Sequence, residues 1–315
     1  MTQLEKIIIE IIAKKPQTKT KFDDARQQVC GQMKIKQPSN RELLQTYQKL
    51  LKNTTPRMVS LRLKKINIVE DKTILRFLRK ADIRTLSGIA VVTSLVKPYA
   101  CPGKCVYCPT EVRMPKSYLS SEPAAARALR LDFNPYEQMQ KRIITLKENG
   151  HPTDKIEYII KGGTWNAYPL KYQYWFIWQS FLACNELRKN AKNTDILSSL
   201  PANKKKYERN KRRGNLSANS SLHNLQKALQ TEQKKNEKSK HRIIGLTLET
   251  RPDAINAKTI YHMRELGCTR IELGLQAPDD KILKLVKRGH TVQQFKDAMF
   301  LLRQAGFKVD LHFMP

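Results

Sequence analysis

Three cysteines in one short stretch are the residues of this 315-residue chain best placed to do chemistry. The stretch reads CPGKCVYCP from Cys101 to Pro109, so the cysteines are spaced C-x3-C-x2-C. A [4Fe–4S] cluster has four irons, and three thiolates leave one iron open to a ligand from outside the protein. Gly103 lets so short a loop fold around the inorganic core. The spacing therefore predicts a cluster held by Cys101, Cys105 and Cys108.

Two other uses of clustered cysteines fit the sequence less well. Structural zinc normally takes four cysteine or histidine ligands, and the nearest histidine, His151, lies far along the chain. A disulfide framework belongs to short secreted domains with paired cysteines. The remaining cysteines are scattered singly, at Cys30, Cys184 and Cys268. This usage predicts a reducing compartment, and we expect a cytoplasmic protein.

The charge balance points to a polyanionic partner. The chain has 59 Lys and Arg residues against 28 Asp and Glu residues, a formal net charge of +31. Nucleic acid is the default partner for such a chain, whereas an anionic membrane would require an amphipathic anchor that the sequence does not show. A solvated surface without a partner stays open. Because no apolar run approaches the roughly 20 residues of a membrane span, we expect no membrane association.

A repeated pattern of strand and helix begins near Gly88. Apolar runs predict strands at residues 88–92, 156–160, 243–248, 270–275 and 308–312, with helices between them. Repeats of this length favour an α/β fold whose parallel sheet curls towards a TIM-like barrel. In such barrels the chemistry lies at the carboxyl ends of the strands. The cysteine loop, which follows the first strand, is predicted to lie at that end.

Two further segments accompany this core. Residues 1–85 combine helical apolar spacing with many lysines and arginines, which predicts a small basic helical domain ahead of a core at residues 86–315. Residues 185–242 are basic and rich in Asn, Ser and Gln. We expect them to form a disordered insertion, or one with a transient helix around residues 222–229. Whether this insertion contacts RNA stays open.

Polar residues at the ends of three predicted strands are candidates for contacts with a cofactor. Glycines at a strand end let a ligand approach the backbone, and carboxylate or guanidinium groups can bind its polar atoms. A simple turn and an ion pair at the barrel rim are the structural alternatives. The candidates are Gly162, Gly163 and Thr164 after the second strand, Glu249 and Arg251 after the third, and Glu272 and Gln276 on the fourth.

The order and spacing of these motifs resemble those of a known family. The cysteine spacing is similar to that of radical S-adenosylmethionine (radical SAM) enzymes, and seven motifs over roughly residues 84–315 resemble the catalytic subunit of Elongator. They are SGIAVV from Ser87, CVYCP from Cys105, GH from Gly150 with DK from Asp154, GGT from Gly162, ETRPD from Glu249, GCTR from Gly267 and RGHTV from Arg288. The resemblance implies a partial TIM-like (β/α) barrel of the radical SAM type.

The resemblance also implies a reaction. One electron from the cluster would cleave S-adenosyl-L-methionine (SAM), bound at the open iron, to a 5′-deoxyadenosyl radical. That radical would take a hydrogen from the methyl group of acetyl-CoA, and the carbon radical would add to carbon-5 of the wobble uridine of tRNA. The product would be a carboxymethyl-type uridine. The implied partners are tRNA, acetyl-CoA and an electron donor, while a homo-oligomer or a complex with other subunits is left open.

Roles carry over from the resemblance to individual residues. The three loop cysteines would hold the cluster, Tyr107 would pack against the cofactor, and Lys155 matches the family lysine that contacts acetyl-CoA. Basic residues within 1–85 would bind tRNA phosphates. The residues implied in catalysis are Lys155, Glu249 and Arg251. Those implied in cofactor binding are Tyr107, Lys155, Gly162, Gly163, Thr164, Glu249, Arg251, Glu272 and Gln276.

The sequence also departs from the family. An acetyltransferase-like domain and a sixth strand are missing after Pro315, so we expect a C-terminally truncated chain. Lys161 replaces an apolar residue before the GGT motif, and Thr110 stands where glycine commonly follows the Cys-Pro pair.

The alternative functions are a non-catalytic, truncated RNA-binding relative and another radical SAM enzyme acting on RNA, such as a methylthiotransferase. The latter needs three further cysteines for a second cluster, and those outside the loop are too dispersed.

Overall fold

The chain divides into two compact units in the computed structural model, which describes residues 1–53, 72–79, 81–187 and 217–314. The first unit comprises Met1–Gly88 and Thr145–Pro152. The second comprises Ile89–Ile144 and Thr153–Pro315. Each unit has a core of its own.

Amphipathic helices build the first unit. They are α1 (Gln3–Ala13), α2 (Lys19–Gln32), α3 (Asn40–Asn53) and α4 (Lys72–Leu78). Helical spacing places one apolar stripe of α1 in the core, where Ile7, Ile8 and Ile11 are almost fully buried. Thr2 and Glu5 form a capping box that satisfies free amides at the start of α1. Apolar residues of α2, α3 and α4 complete this core.

The second unit contains a five-stranded parallel sheet, which confirms the predicted α/β fold and its partial barrel. In spatial order its strands are β1 (Ala90–Leu95), β2 (Lys155–Lys161), β3 (Arg242–Thr250), β4 (Arg270–Gln276) and β5 (Lys308–Phe313). The helices along this part of the chain are α5 (Pro123–Arg130), α6 (Pro135–Glu148), α7 (Leu170–Asn185), α8 (Leu222–Asn236), α9 (Ala257–Glu265), α10 (Asp280–Leu285) and α11 (Val292–Gln304). None of the described helices is long and apolar enough to cross a membrane.

One face of the sheet is lined by charged residues. Successive side chains of a strand point to opposite faces, so Tyr158, Leu246 and Ile271 share the buried face. The strand register brings the charged residues onto the other face. They are Glu157 and Lys161 of β2, Glu249 of β3, Arg270 and Glu272 of β4, and Asp310 and His312 of β5.

Glycine is required in the turn after β2 because the chain passes close to its neighbours there. Gly162 has φ +144°, and a Cβ at this position would collide with the side chain of Val96. Gly163 has φ +88°, a conformation that residues with side chains rarely adopt. Gly162 thus lets the ends of β1 and β2 pack closely together. This packing positions Thr164, two residues further along the chain.

The structure differs from the prediction for the basic insertion. Within residues 217–241, α8 begins after a Ser221 cap and packs Leu225 and Leu229 against α7. Its last residue, Asn236, donates to the His241 carbonyl (3.0 Å) and accepts from the backbone N–H of Ile243 (2.8 Å). Disorder is therefore wrong for this part, because two leucines four residues apart and one buried amide give a polar segment a packed face. Residues 188–216 lie outside the described residues.

We expect Leu229→Ala to lower the free energy of unfolding of the sheet unit by roughly 2–5 kcal/mol, the cost of emptying a buried leucine site. Gln230→Ala is the matched control, since the neighbouring Gln230 is exposed on the same helix. Urea unfolding followed by circular dichroism measures both variants. If Leu229→Ala unfolds at the same urea concentration as Gln230→Ala, α8 is not part of the packed core.

Candidate active site

A cavity of about 480 Å³ opens at the carboxyl ends of the strands. Parallel strands present their loops together at this edge, which is why residues far apart in sequence share one wall. Its lining includes Cys101, Gly103, Cys105, Tyr107 and Cys108 after β1, Gly163 and Thr164 after β2, Glu249 and Arg251 at the end of β3, and Gln276, Arg288 and His312 from later elements. The structure thus brings the cysteine loop and most of the predicted polar residues to one place.

All three loop cysteines are free thiols that border this cavity. The sulfur of Cys101 lies 3.6 Å from Thr164 Oγ1 and accepts from the backbone N–H of Gly103 at 3.4 Å. The sulfur of Cys108 lies 2.8 Å from Ser117 Oγ. Hydrogen bonds of this kind orient thiols and stabilise negative charge on sulfur.

Two buried arginines approach the third cysteine. Arg251 Nη1 lies 3.9 Å and Arg288 Nη1 lies 3.6 Å from the Cys105 sulfur. Only 4% of Arg251 and 7% of Arg288 is exposed. Gly103 makes room for this arrangement, because a Cβ there would collide with the Arg251 guanidinium. The sulfur of Cys105 therefore sits in a strongly positive environment.

Each arginine is held in place by its own partners. Arg251 donates to the Asp253 carboxylate from both Nε and Nη2, each at 2.8 Å, and Nη2 also donates to the Arg288 carbonyl. Burial opposes the charge of Arg251, but Asp253 and the nearby cysteines outweigh burial and raise its pKa. Arg288 donates to the Gly274 carbonyl at 2.9 Å and to His290 Nε2 at 3.1 Å. Both guanidinium groups are thus fixed before any ligand arrives.

The donor set suits an iron–sulfur cluster, because three free thiols border one cavity and thiolates are the ligands that such clusters take. Among the residues that the structure describes, no three or more His, Cys, Asp or Glu side chains are grouped as a site for a single metal ion. Tyr107 also lines this cavity, and its hydroxyl is buried. Burial raises the pKa of Tyr107 to about 12; Arg288 opposes the rise, and Cys105 adds to it through its charge and a side-chain hydrogen bond. The phenol therefore stays neutral beside the cysteine loop.

A network of charged side chains extends from the cavity along the polar face of the sheet. Tyr118 donates to Glu249 at 2.7 Å, and His312 Nδ1 lies 3.7 Å from the same carboxylate. The other ring nitrogen of His312 lies 3.2 Å from Glu272, which also pairs with Lys161. Lys161, a charged residue at an unusual position before the glycine pair, therefore forms an ion pair with a carboxylate of β4.

Protonation within this network follows from its contacts. Burial opposes ionisation of Glu272, but hydrogen bonds from His312 and Lys161 outweigh burial and lower the pKa of Glu272. The hydrogen bond to Glu272 raises the pKa of His312 above its ordinary value of 6.5, while burial opposes the rise and Glu249 adds to it. Burial, together with Glu249, raises the pKa of Tyr118, which stays a neutral donor. His312 is thus favoured as an imidazolium between two carboxylates.

Two predicted cofactor-binding residues support the site from behind its wall. Gly162 and Glu272 are not part of the cavity lining, although their neighbours Gly163 and Gly274 are. Gly162 is required for the close contact with Val96, and Glu272 fixes Lys161 and His312. Their effect on a ligand is therefore indirect.

Lys155 does not reach the cavity. It is exposed and is the first residue of β2, whereas the cavity lies beyond the last residue of that strand, Lys161. Six steps along a strand span about 20 Å. The predicted role of Lys155 in catalysis and cofactor binding at this site has no support in the geometry, because the amino end of a parallel strand lies opposite the end that carries the chemistry.

Arg288 and His312 are cavity-lining residues for which no role was predicted. Arg288 belongs to the RGHTV motif, but its sequence separation from Cys105 hides their contact. His312 lies on β5, where the period-two pattern of a strand places it on the same face as Asp310. That periodicity was the available signal for His312.

Comparison with known proteins defines the class of this fold and site. The model of the radical SAM superfamily matches residues 202–315. The match covers β3, β4 and β5, and the parallel sheet with the cysteine loop at its carboxyl edge agrees with it. A solved structure of archaeal Methanocaldococcus infernus Elp3 with an N-terminal deletion superposes with a TM-score of 0.50 at 35% identity, covering 72% of this chain and 38% of that one.

Individual relatives narrow the class further. The tRNA uridine(34) acetyltransferase of Methanocaldococcus infernus is 40% identical over 252 residues, 78% of this chain and 40% of the relative. That of Dehalococcoides mccartyi is 38% identical over 74% of this chain and 42% of the relative. Human Elongator complex protein 3 is 34% identical over 78% of this chain and 40% of the relative. The chain is similar to these proteins over about three quarters of its own length, as its motifs predicted, and it spans about 40% of theirs.

We expect His312 to titrate above pH 6.5 and to move back towards that value in Glu272→Gln, because the carboxylate stabilises the imidazolium. Since the folded-state pKa is raised, the ion pair stabilises the fold below pH 6.5 and this contribution is lost as the pH rises through the folded-state value. NMR titration of the histidine ring measures the pKa. Asp310→Asn is the control, since Asp310 pairs with Arg270 (2.7 Å). A wild-type His312 that titrates below 6.5 would contradict the network.

Proposed function

We propose that this chain is the radical core of an enzyme that modifies the wobble uridine of tRNA at carbon-5. The observation that carries the proposal is the convergence of three free thiols and two buried guanidinium groups on one cavity at the carboxyl edge of a parallel sheet. The names of the relatives, tRNA uridine(34) acetyltransferase and Elongator complex protein 3, support the choice of substrate. The alternative of a second cluster has little support, because Cys30, Cys184 and Cys268 are each buried in the core.

Cys101, Cys105 and Cys108 would hold a [4Fe–4S] cluster in this site. Such a cluster, with SAM at its open iron, supplies an electron and a 5′-deoxyadenosyl radical. The protein contributes charge and position: Arg251 and Arg288 offset the negative charge that thiolates bring into a buried place. Tyr107, from within the cysteine loop, lines the same cavity.

Other residues of the cavity lining would bind the polar groups of SAM. Gly163 and Thr164 line the cavity beside Cys101, and Glu249 presents a carboxylate that Tyr118 and His312 hold in place. Gln276 lines the same cavity with a positive φ of 74°, a strained conformation for a residue with a side chain. These residues would fix the orientation of SAM and exclude water from the radical.

The co-substrate and the RNA complete the proposal. The methyl carbon of acetyl-CoA would form the new bond to carbon-5 of the uridine. The hydrogen of carbon-5 would leave as a proton, and the remaining electron would return to the cluster, which an external electron donor would first have reduced. Hydrolysis of the thioester would then release CoA and leave a carboxymethyl-type product. The first unit would bind tRNA phosphates through exposed basic side chains such as Lys6, Lys15 and Lys21. The match to only about 40% of each relative makes acetyl-CoA handling a proposal to be tested separately from SAM cleavage.

We expect the anaerobically reconstituted chain to form 5′-deoxyadenosine from SAM when dithionite is added. Cys105→Ala should lower this activity at least about 100-fold, because losing a cluster ligand costs more than losing a residue that only hydrogen-bonds to a ligand. Iron and sulfide content and chromatography of the nucleoside measure the two effects. Cys184→Ala is the matched control, because that cysteine is buried away from the cavity.

Mass spectrometry of nucleosides from tRNA incubated with acetyl-CoA tests the uridine product. Cleavage of SAM without a modified uridine would contradict the proposed substrate but leave the radical core intact. A chain that binds RNA but neither holds iron nor cleaves SAM would support the non-catalytic alternative.

A further inference from the structure

A stack of tyrosine rings stands beside the cysteine loop and ends in an exposed ring. Tyr99 and Tyr168 have ring centroids 5.0 Å apart at an interplanar angle of 31°, and Tyr168 stacks on Tyr172 at 5.3 Å and 24°. The two inner rings are buried, whereas 43% of Tyr99 is exposed. One outer aromatic surface is therefore left to solvent.

Hydrogen bonds make this stack rigid. The Tyr168 hydroxyl donates to the Lys97 carbonyl at 2.7 Å, and the Lys97 backbone N–H donates to the Tyr172 hydroxyl at 3.1 Å. Burial raises the pKa of both inner tyrosines, which stay neutral. A ring supported in this way can accept another ring on its free side with little loss of conformational entropy.

Exposed lysines lie near the exposed ring along the chain. Lys97, two residues before Tyr99, is exposed, and its ammonium group lies 5.0 Å from the centroid of Tyr172, the innermost ring of the stack. Lys104, also exposed, belongs to the cysteine loop itself. An exposed aromatic ring on a segment that carries exposed lysines matches single-stranded nucleic acid, whose bases stack on aromatic rings while its phosphates seek cations.

The stack and the cavity are built from the same two loops. Tyr99 is two residues before Cys101, and Tyr168 follows Thr164 by four residues; the side chains of Cys101 and Thr164 touch in the cavity wall. We propose that Tyr99 is a stacking site for an unpaired RNA base, with Lys97 on the adjoining phosphate. The inference rests on the proposed function for its RNA substrate and adds a site that holds a nucleotide next to the reacting uridine.

Binding of a fluorescent stem-loop RNA with a uridine-containing single-stranded loop tests this site. We expect Tyr99→Ala to weaken binding about tenfold, within the range for loss of one stacked base, and Tyr99→Phe to bind like wild type. Tyr261→Ala is the matched control, because Tyr261 is 58% exposed on α9 of the same unit. We expect Lys97→Gln to reduce the dependence of log affinity on log salt by about one phosphate contact.

Abasic substitutions in the loop separate stacking from general damage. At the stacked nucleotide, removing the base should abolish the difference between wild type and Tyr99→Ala, while at other positions the difference should persist. Equal affinity of wild type and Tyr99→Ala for the intact RNA would overturn the inference, and so would a tenfold loss that no abasic position removes. A wild-type chain that shows the Tyr99 effect but does not cleave SAM would contradict the proposed function alone.

Discussion

The site depends on the burial of two positive charges beside one sulfur. Arg251 and Arg288 are both more than nine-tenths buried, and taking a charge out of water is costly unless an opposite charge or good hydrogen bonds replace the water. Asp253 supplies one carboxylate, to Arg251, whereas the hydrogen bonds of Arg288 go to Gly274, His290 and Cys105. The surplus of positive charge favours a negatively charged occupant of the cavity, and a thiolate-bound cluster provides one.

Several features of the fold follow from this arrangement. Gly103 has no side chain where the Arg251 guanidinium passes, and a Cβ on Gly274 would likewise collide with Arg288. The parallel sheet makes the contact possible, because only the shared carboxyl edge brings the loops after β1 and β3 together with the segment after α10. On the charged face of the sheet, Lys161 and His312 likewise offset the negative charge of carboxylates near the cavity.

Local signals in the sequence were enough to predict the fold type and most of the site. The cysteine spacing, the glycine pair and the polar ends of β3 and β4 each stand next to an apolar run, and parallel topology unites them. Arg288 could not be assigned in this way, since its contact with Cys105 joins residues far apart in sequence. The role of Lys155 came from the resemblance alone, and no local signal relates the start of β2 to the cavity at its other end. Helix α8 was predicted only as a transient helix around residues 222–229, because its buried face consists of few apolar residues within a polar, basic segment.

We expect the three loop cysteines to hold a four-iron cluster with one iron open to SAM. Mössbauer spectroscopy of the anaerobically reconstituted chain, recorded with and without SAM, is the most direct test. About one quarter of the iron signal should change when SAM is added, since only one of four irons lacks a thiolate. A spectrum without a four-iron cluster, or one in which SAM leaves every iron unchanged, would contradict it.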